Sequence, residues 1–208
     1  MKKKLSFRRE FSAGCVVFKK FPLKFLLGKH SGYKKWVLPK GLIEKGERSF
    51  EAAIRETEEE MGVKAKLVSE KPIHKEEYFY IADFKKKLSP ETIQFEEDKK
   101  KDRSTRRVVK YQEGGGGKTR VFKTVSFYLA EYESGDPEDH GWEMSEAGWF
   151  TYKEALKKMA FEGEKEAIKK ALYHFCLQNG LPQHHIGCGA QQPVIAGTSA
   201  TGQAKRIT

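Results

Sequence analysis

The chain has 208 residues and carries 40 Lys plus Arg against 29 Asp plus Glu, a formal net charge of +11. One domain is the default at this length, and the basic surplus points to an anionic partner: nucleic acid, a membrane surface or a polyphosphate. Cys15, Cys176 and Cys188 show neither metal-ligand spacing nor an even-numbered framework, and no segment approaches the ~18 apolar residues of a membrane span, which excludes a disulfide scaffold and a spanning helix and fits a soluble cytoplasmic protein.

The basic start Met1-Lys2-Lys3-Lys4 leads into no signal-like apolar run, because Arg8, Arg9 and Glu10 interrupt it. Strands are expected over 11–18 and 25–29, separated by a turn at Phe21-Pro22. Trp36 to Pro39 reads as a short extended piece, since Pro39 biases Leu38 away from helix. A helix is expected over 49–61, with Ser49 as N-cap, Glu51 in the first turn and Gly62 just past the end. Strands follow over 66–69, 73–82, 119–132 and 147–151, and helices over 153–159 and 164–177. In the last helix Ala167, Ile168, Ala171, Leu172 and Phe175 form the apolar stripe.

Two segments stand apart. Residues 83–118 are highly charged and end in a Gly114–Gly117 tract, so they read as a mobile insertion between strands; its apolar content is too small to offset ordering entropy. Residues 178–208 are rich in Gly, Gln, Ala, Ser and Thr without periodicity and read as a disordered tail. The folded domain is therefore placed at 8–177.

The chemistry concentrates in Gly41 to Val63. At 100° per residue, Phe50, Ile54, Thr57 and Met61 share one helix face, and Glu56, Glu59 and Glu60 fall on a neighbouring arc. The apolar stripe is expected to bury while the three carboxylates converge beside it. An oxygen-only cluster of this kind suits a hard cation such as Mg²⁺, which keeps some waters and bridges to substrate phosphates.

The spacing Gly41-x5-Glu47-x7-Arg55-Glu56-Thr57-x-Glu59-Glu60-x-Gly62-Val63 resembles the Nudix box at every fixed position, with Thr57 a softer choice than the usual aliphatic residue. The wider likeness covers about residues 8–177 and is nearest the small diadenosine tetraphosphate hydrolases. It is carried by Phe11-Ser12-Ala13-Gly14, Trp36-x-Leu38-Pro39-Lys40-Gly41, Val121 to Val125, Trp142-Glu143-Met144 and Phe161 to Glu166. The 83–118 insertion departs from the compact members. The resemblance implies an α/β fold, an α/β/α sandwich with a mixed, partly curled sheet between helices.

It also implies a site. Glu56, Glu59, Glu60 and the Gly41 carbonyl would hold Mg²⁺, with Mn²⁺ as the alternative, and Glu47 and Arg55 would support them, Arg55 pairing bidentately with a carboxylate. Glu143, on the loop before the last strand, is favoured over Glu138, Asp139 and Glu146 as a metal-associated or base residue, a role Glu56 shares. Lys40 and Lys123 are candidate phosphate ligands, and His30 lies with Lys34 and Lys35 on the loop before Trp36. Tyr78 and Tyr80 alternate on one strand, so both face one side; one is a candidate for base stacking and at least one for the core.

The expected activity is Mg²⁺-dependent hydrolysis of a small nucleoside polyphosphate, foremost diadenosine tetraphosphate to ATP and AMP. The alternatives are cleavage of damaged nucleoside triphosphates, removal of pyrophosphate from 5′-triphosphorylated RNA, and a nucleic-acid-binding protein on an inactive Nudix scaffold. The intact carboxylates argue against the last. Phe84, Phe95 and Tyr111 are the few aromatics of the insertion, so nucleic acid is not favoured as its partner. The sequence says nothing of oligomeric state.

Overall fold

The structure, a computed structural model, describes residues 6–83 and 118–180. Apart from Asp83, Lys118 and Gln178 to Gly180, the expected insertion and tail lie outside those residues. Eight strands form one mixed sheet: β1 (Ser6–Lys19), β2 (Lys24–His30), β3 (Trp36–Val37), β4 (Lys40–Leu42), β5 (Val63–Leu67), β6 (His74–Asp83), β7 (Lys118–Gly135) and β8 (Met144–Phe150). Three helices cover it: α1 (Ser49–Met61), α2 (Tyr152–Lys158) and α3 (Glu162–Gln178).

The long strands β1 and β7 run parallel from Ser6↔Thr119 to Phe18↔Glu131 and form the spine of the sheet. The first half of β7 takes β6 on its other edge and the second half takes β5, while β1 takes β4 at Ser12–Gly14 and β2 at Phe18–Lys19. Each spine strand changes partner midway, which curls the sheet. Side chains alternate along the spine and fill two cores. Ala13, Cys15, Val17, Tyr128 and Ala130 face α1, whereas Val16, Phe18, Val125, Phe127 and Leu129 face α2 and α3. The expected α/β/α sandwich is the architecture observed.

Several boundaries differ from expectation for identifiable reasons. The N-cap of α1 is Arg48, extended at φ −76° and ψ 147°; the Glu51 carboxylate accepts from its backbone N–H at 2.9 Å, so Ser49 falls inside the first turn. Gly62 does end the helix in the left-handed region at φ 67°. The chain then reverses at once, so the next strand begins at Val63 rather than 66, paired with Gly135. β8 begins at Met144 rather than 147 because β2 supplies a partner as far as His30. β4 was not expected at all: three residues containing a glycine carry no period, and only their pairing with β1 makes them a strand. The stripe expected on α3 is buried as read.

The buried face of α1 is a correction with consequences for the site. Thr57 and Met61 are buried as expected, but Phe50 and Ile54 are only partly covered, while Glu56 and Glu60 are 3% and 6% exposed. The helix therefore lies rotated, with two of its carboxylates facing inward toward β4.

Candidate active site

Glu56 and Glu60 point inward because the strand opposite them is small and polar in what it offers. A Cβ on Gly41 would lie 2.0 Å from the Glu56 carboxyl carbon, so only glycine leaves room for that carboxylate against β4. The next backbone group along, the Lys40 N–H, donates to Glu60 Oε2 at 2.9 Å. Strand β4 thus makes room for Glu56 at Gly41 and holds Glu60 through the Lys40 N–H.

Arg55 organises the outer side. Its guanidinium pairs bidentately with Glu47, Nε–Oε1 at 2.8 Å and Nη2–Oε2 at 3.0 Å, and also donates to the Leu42 carbonyl at 3.0 Å. Nη1 reaches Glu56 Oε1 at 2.8 Å and Glu59 Oε2 at 3.3 Å. The hydrogen bond from Arg55 foremost holds the Glu47 carboxyl below its ordinary range. The bidentate pairing expected of Arg55 is present, with Glu47 as its partner.

Burial lifts the Glu60 carboxyl well above the ordinary range; Lys40 opposes the lift and the charges of Glu143 and Glu56 reinforce it. Among the described residues no three His, Cys, Asp or Glu side chains already stand as a ligand set. Yet the donors fit a divalent cation: they are all oxygens, and like charges pressed together in a buried place gain most from one.

The loop before β8 carries Glu143 to this cluster. It is clasped from both sides, Gly141 N–H to the Glu60 carbonyl at 3.0 Å and Ser31 N–H to the Glu143 carbonyl at 2.8 Å. Of the acidic candidates here, Glu143 is the one whose charge bears on Glu60. Glu146 is instead exposed and paired with Lys29 at 2.6 Å, and Asp139 backs onto Gly62 at the helix end.

Lys40 turns away from solvent into a second polar cluster. Its ammonium pairs with Glu164 Oε1 at 2.7 Å, and Glu164 Oε2 accepts from the Leu38 N–H at 3.0 Å. Burial alone would depress the Lys40 ammonium; Glu164, then Tyr33 and Glu60, hold it above its ordinary value instead. Glu76 on β6 lies beside this pair, raised by burial and then by the Glu164 charge, and packs against Gly163 at the start of α3.

The remaining expected residues border this second cluster. Lys123 is half-buried on β7, in register with Glu10 on β1 and Tyr78 on β6, all on the α3 side of the sheet. Tyr80 donates to Glu10 Oε2 at 2.8 Å, and Tyr78 packs on the core, so the pair splits between polar and apolar roles. His30 supplies no positive charge near neutrality: burial, with Lys40 and Lys34 nearby, pulls it down to about 4. Its Nδ1 accepts from the Gly32 N–H at 2.9 Å and its ring stacks on Tyr33 at 3.9 Å.

Four residues here were missed by sequence reasoning: Glu164, Glu76, Glu10 and Tyr33. A Glu in the first turn of a helix reads as a dipole partner, and only tertiary packing brings Glu164 to Lys40. A lone Glu on a strand next to Arg8 and Arg9, or a Tyr on a basic loop, carries no pattern of its own.

The chain is thus an open α/β/α sandwich whose inward carboxylates stand on the helix that follows the glycine-bearing strand β4. The NUDIX domain model matches residues 8–171, and the chain belongs to that family. It is 25% identical over 136 residues to the Mycobacterium tuberculosis protein MutT4; the match takes in 65% of this chain but 40% of that protein, so the chain spans about two fifths of the relative's length. A C. elegans Ap4A hydrolase binary complex superposes at TM-score 0.52 with 20% identity, covering 81% of this chain and 98% of that one. A MutT protein from Methanosarcina mazei Go1 superposes at 0.50 with 14% identity, covering 83% and 99%. At these identities the two structures speak to the fold alone.

Proposed function

We propose that this chain hydrolyses a dinucleoside polyphosphate, cutting diadenosine tetraphosphate to ATP and AMP with Mg²⁺. The carrying observation is the inward pair Glu56 and Glu60: Glu56 lies against Gly41 and accepts from Arg55, and Glu60 accepts from the Lys40 N–H and feels the Glu143 charge. Support for the substrate comes from the Trp36-x-Leu38-Pro39-Lys40-Gly41 lead-in, which resembles that of the small diadenosine tetraphosphate hydrolases.

Gly41, Glu56, Glu59 and Glu60 would hold the cation. When bound, Mg²⁺ neutralises phosphate charge and acidifies coordinated water. Arg55, fixed by its fork on Glu47, orients Glu56 and Glu59 directly. Glu143, whose charge bears on Glu60, would accept the proton of the attacking water or join the metal shell, a base role that Glu56 shares. Lys40 and Lys123 supply cations for the phosphate chain, and Tyr78 or Tyr80 a ring for a base. His30, being neutral, serves as a hydrogen-bonding or stacking group rather than a charge.

The test is a substrate panel with Mg²⁺ scored by kcat/KM: dinucleoside polyphosphates, damaged deoxynucleoside triphosphates, ADP-ribose and triphosphorylated RNA. Diadenosine tetraphosphate should lead, with ATP and AMP as products in equal amounts. Two ADP, or a tenfold preference for a damaged triphosphate, would contradict the assignment.

A further inference from the structure

The α1-side face of the sheet continues past the helix as an open platform of rings and guanidinium groups. Register partners share a face, so Phe7 and Arg120, Arg9 and Phe122, and Phe79 and Phe122 all stand on it together. Phe11 follows on β1. Phe7, Phe11 and Phe79 are 57%, 56% and 54% exposed, and large rings exposed side by side mark an interaction site. Phe79 and Phe122 lie with centroids 4.8 Å apart, and the Arg120 guanidinium sits over the Phe79 ring at 4.5 Å.

Charge decides the occupant. Arg9 and Arg120 make the platform basic, and the chain flanking it is basic too: residues 84–117 carry ten Lys or Arg against six Asp or Glu, and Lys2 to Lys4 precede β1. The chain's own segments and a second copy are therefore poorly matched in charge, whereas a polyanion with flat rings is complementary in both respects. Bases stack on exposed aromatic rings of a sheet while guanidinium groups track the phosphates. Successive same-face positions on a strand are ~7 Å apart, close to the step of an extended single strand. Glu77, opposite Thr124 on the same face, adds an acceptor that a 2′-hydroxyl can satisfy and a deoxyribose cannot.

We propose that this platform binds single-stranded RNA, separately from the carboxylate cluster.

The test is fluorescence anisotropy of the full chain with a labelled oligouridylate of about twelve nucleotides. The probe carries a 5′-hydroxyl and EDTA is present, so that neither a terminal phosphate nor turnover contributes. Saturable binding is expected, weakened about fivefold or more by Phe79→Ala and by Phe11→Ala, and retained in Phe79→Tyr, which keeps a stackable ring. Arg120→Ala should lower the salt slope by about 0.7. Hydrolysis of diadenosine tetraphosphate by these variants should be unchanged, and the binding readout does not depend on that activity. Absence of binding, binding that survives loss of both rings, or equal affinity for oligodeoxythymidylate would overturn the proposal. So would a concentration-dependent dimer in sedimentation that Phe79→Ala dissolves, since the face would then be a self-contact.

Discussion

Removing Glu164 is the sharpest perturbation of the second polar cluster. Its carboxylate is 1% exposed and has two partners, the Lys40 ammonium at 2.7 Å and the Leu38 N–H at 3.0 Å. Glu164→Ala leaves a Lys40 whose side chain is only 14% exposed without that counter-charge, and orphans a buried N–H. Breaking a buried pair from one side costs about 3–5 kcal/mol, and for a domain of this size ~2–4 °C of Tm follows each kcal/mol. The expected loss is roughly 6–20 °C by calorimetry. Glu164→Gln keeps an acceptor for Leu38 and for the ammonium, so it should lose less than half as much. Lys40→Met alone should also destabilise, because it strands the Glu164 charge. The double variant Lys40→Met/Glu164→Gln should recover part of the loss, with a coupling above ~1 kcal/mol. Additive single-variant effects, or a loss below ~1 kcal/mol for Glu164→Ala, would refute the reasoning.

Four other outcomes are expected. Glu56→Gln and Glu60→Gln should each lower kcat at least a hundredfold, while the Tm of Glu60→Gln without metal stays at or above that of the parent, because the lost group is a carboxyl already held toward its neutral form. Arg55→Lys should lower kcat with little change in KM, since an ammonium does not reproduce the bidentate fork on Glu47; steady-state kinetics would show it. Lys123→Ala should raise KM more than it lowers kcat, and an unchanged KM would count against phosphate contact. His30 is lowered to about 4 in the fold against 6.5 when unfolded, so the unfolded chain binds the extra proton between those values. Its stabilising contribution is present above pH 6.5 and is lost as pH falls toward 4. After discounting for partial exposure this amounts to about 1–2 kcal/mol, and urea titrations of His30→Gln should be flatter across that window.

Much of this architecture was legible because it is local. Alternation gave the strands, a 3.6-residue period gave α3, and Gly62 marked the end of α1 before any contact was known. What escaped notice is set by pairing. β4 exists only because β1 borders it, and β5 starts early because β7 waits beside Gly62. The box residues were likewise visible from spacing, but their orientation was not. The hydrophobic stripe placed Phe50 and Ile54 inward, whereas the room beside Gly41 admits Glu56 and the Lys40 N–H draws in Glu60. Glu164 was hidden for a related reason: it lies 124 positions beyond Lys40, and nothing in either neighbourhood signals the other.

The central claim is that a divalent cation sits among the box carboxylates against a chain of phosphates. Crystals grown with Mn²⁺ and a non-hydrolysable diadenosine tetraphosphate analogue, imaged by anomalous scattering, test it directly. The expected map has its strongest peaks beside Glu56, Glu60 and the Gly41 carbonyl, in contact with analogue phosphate oxygens. Peaks elsewhere, or phosphates bound with no peak at those residues, would contradict it.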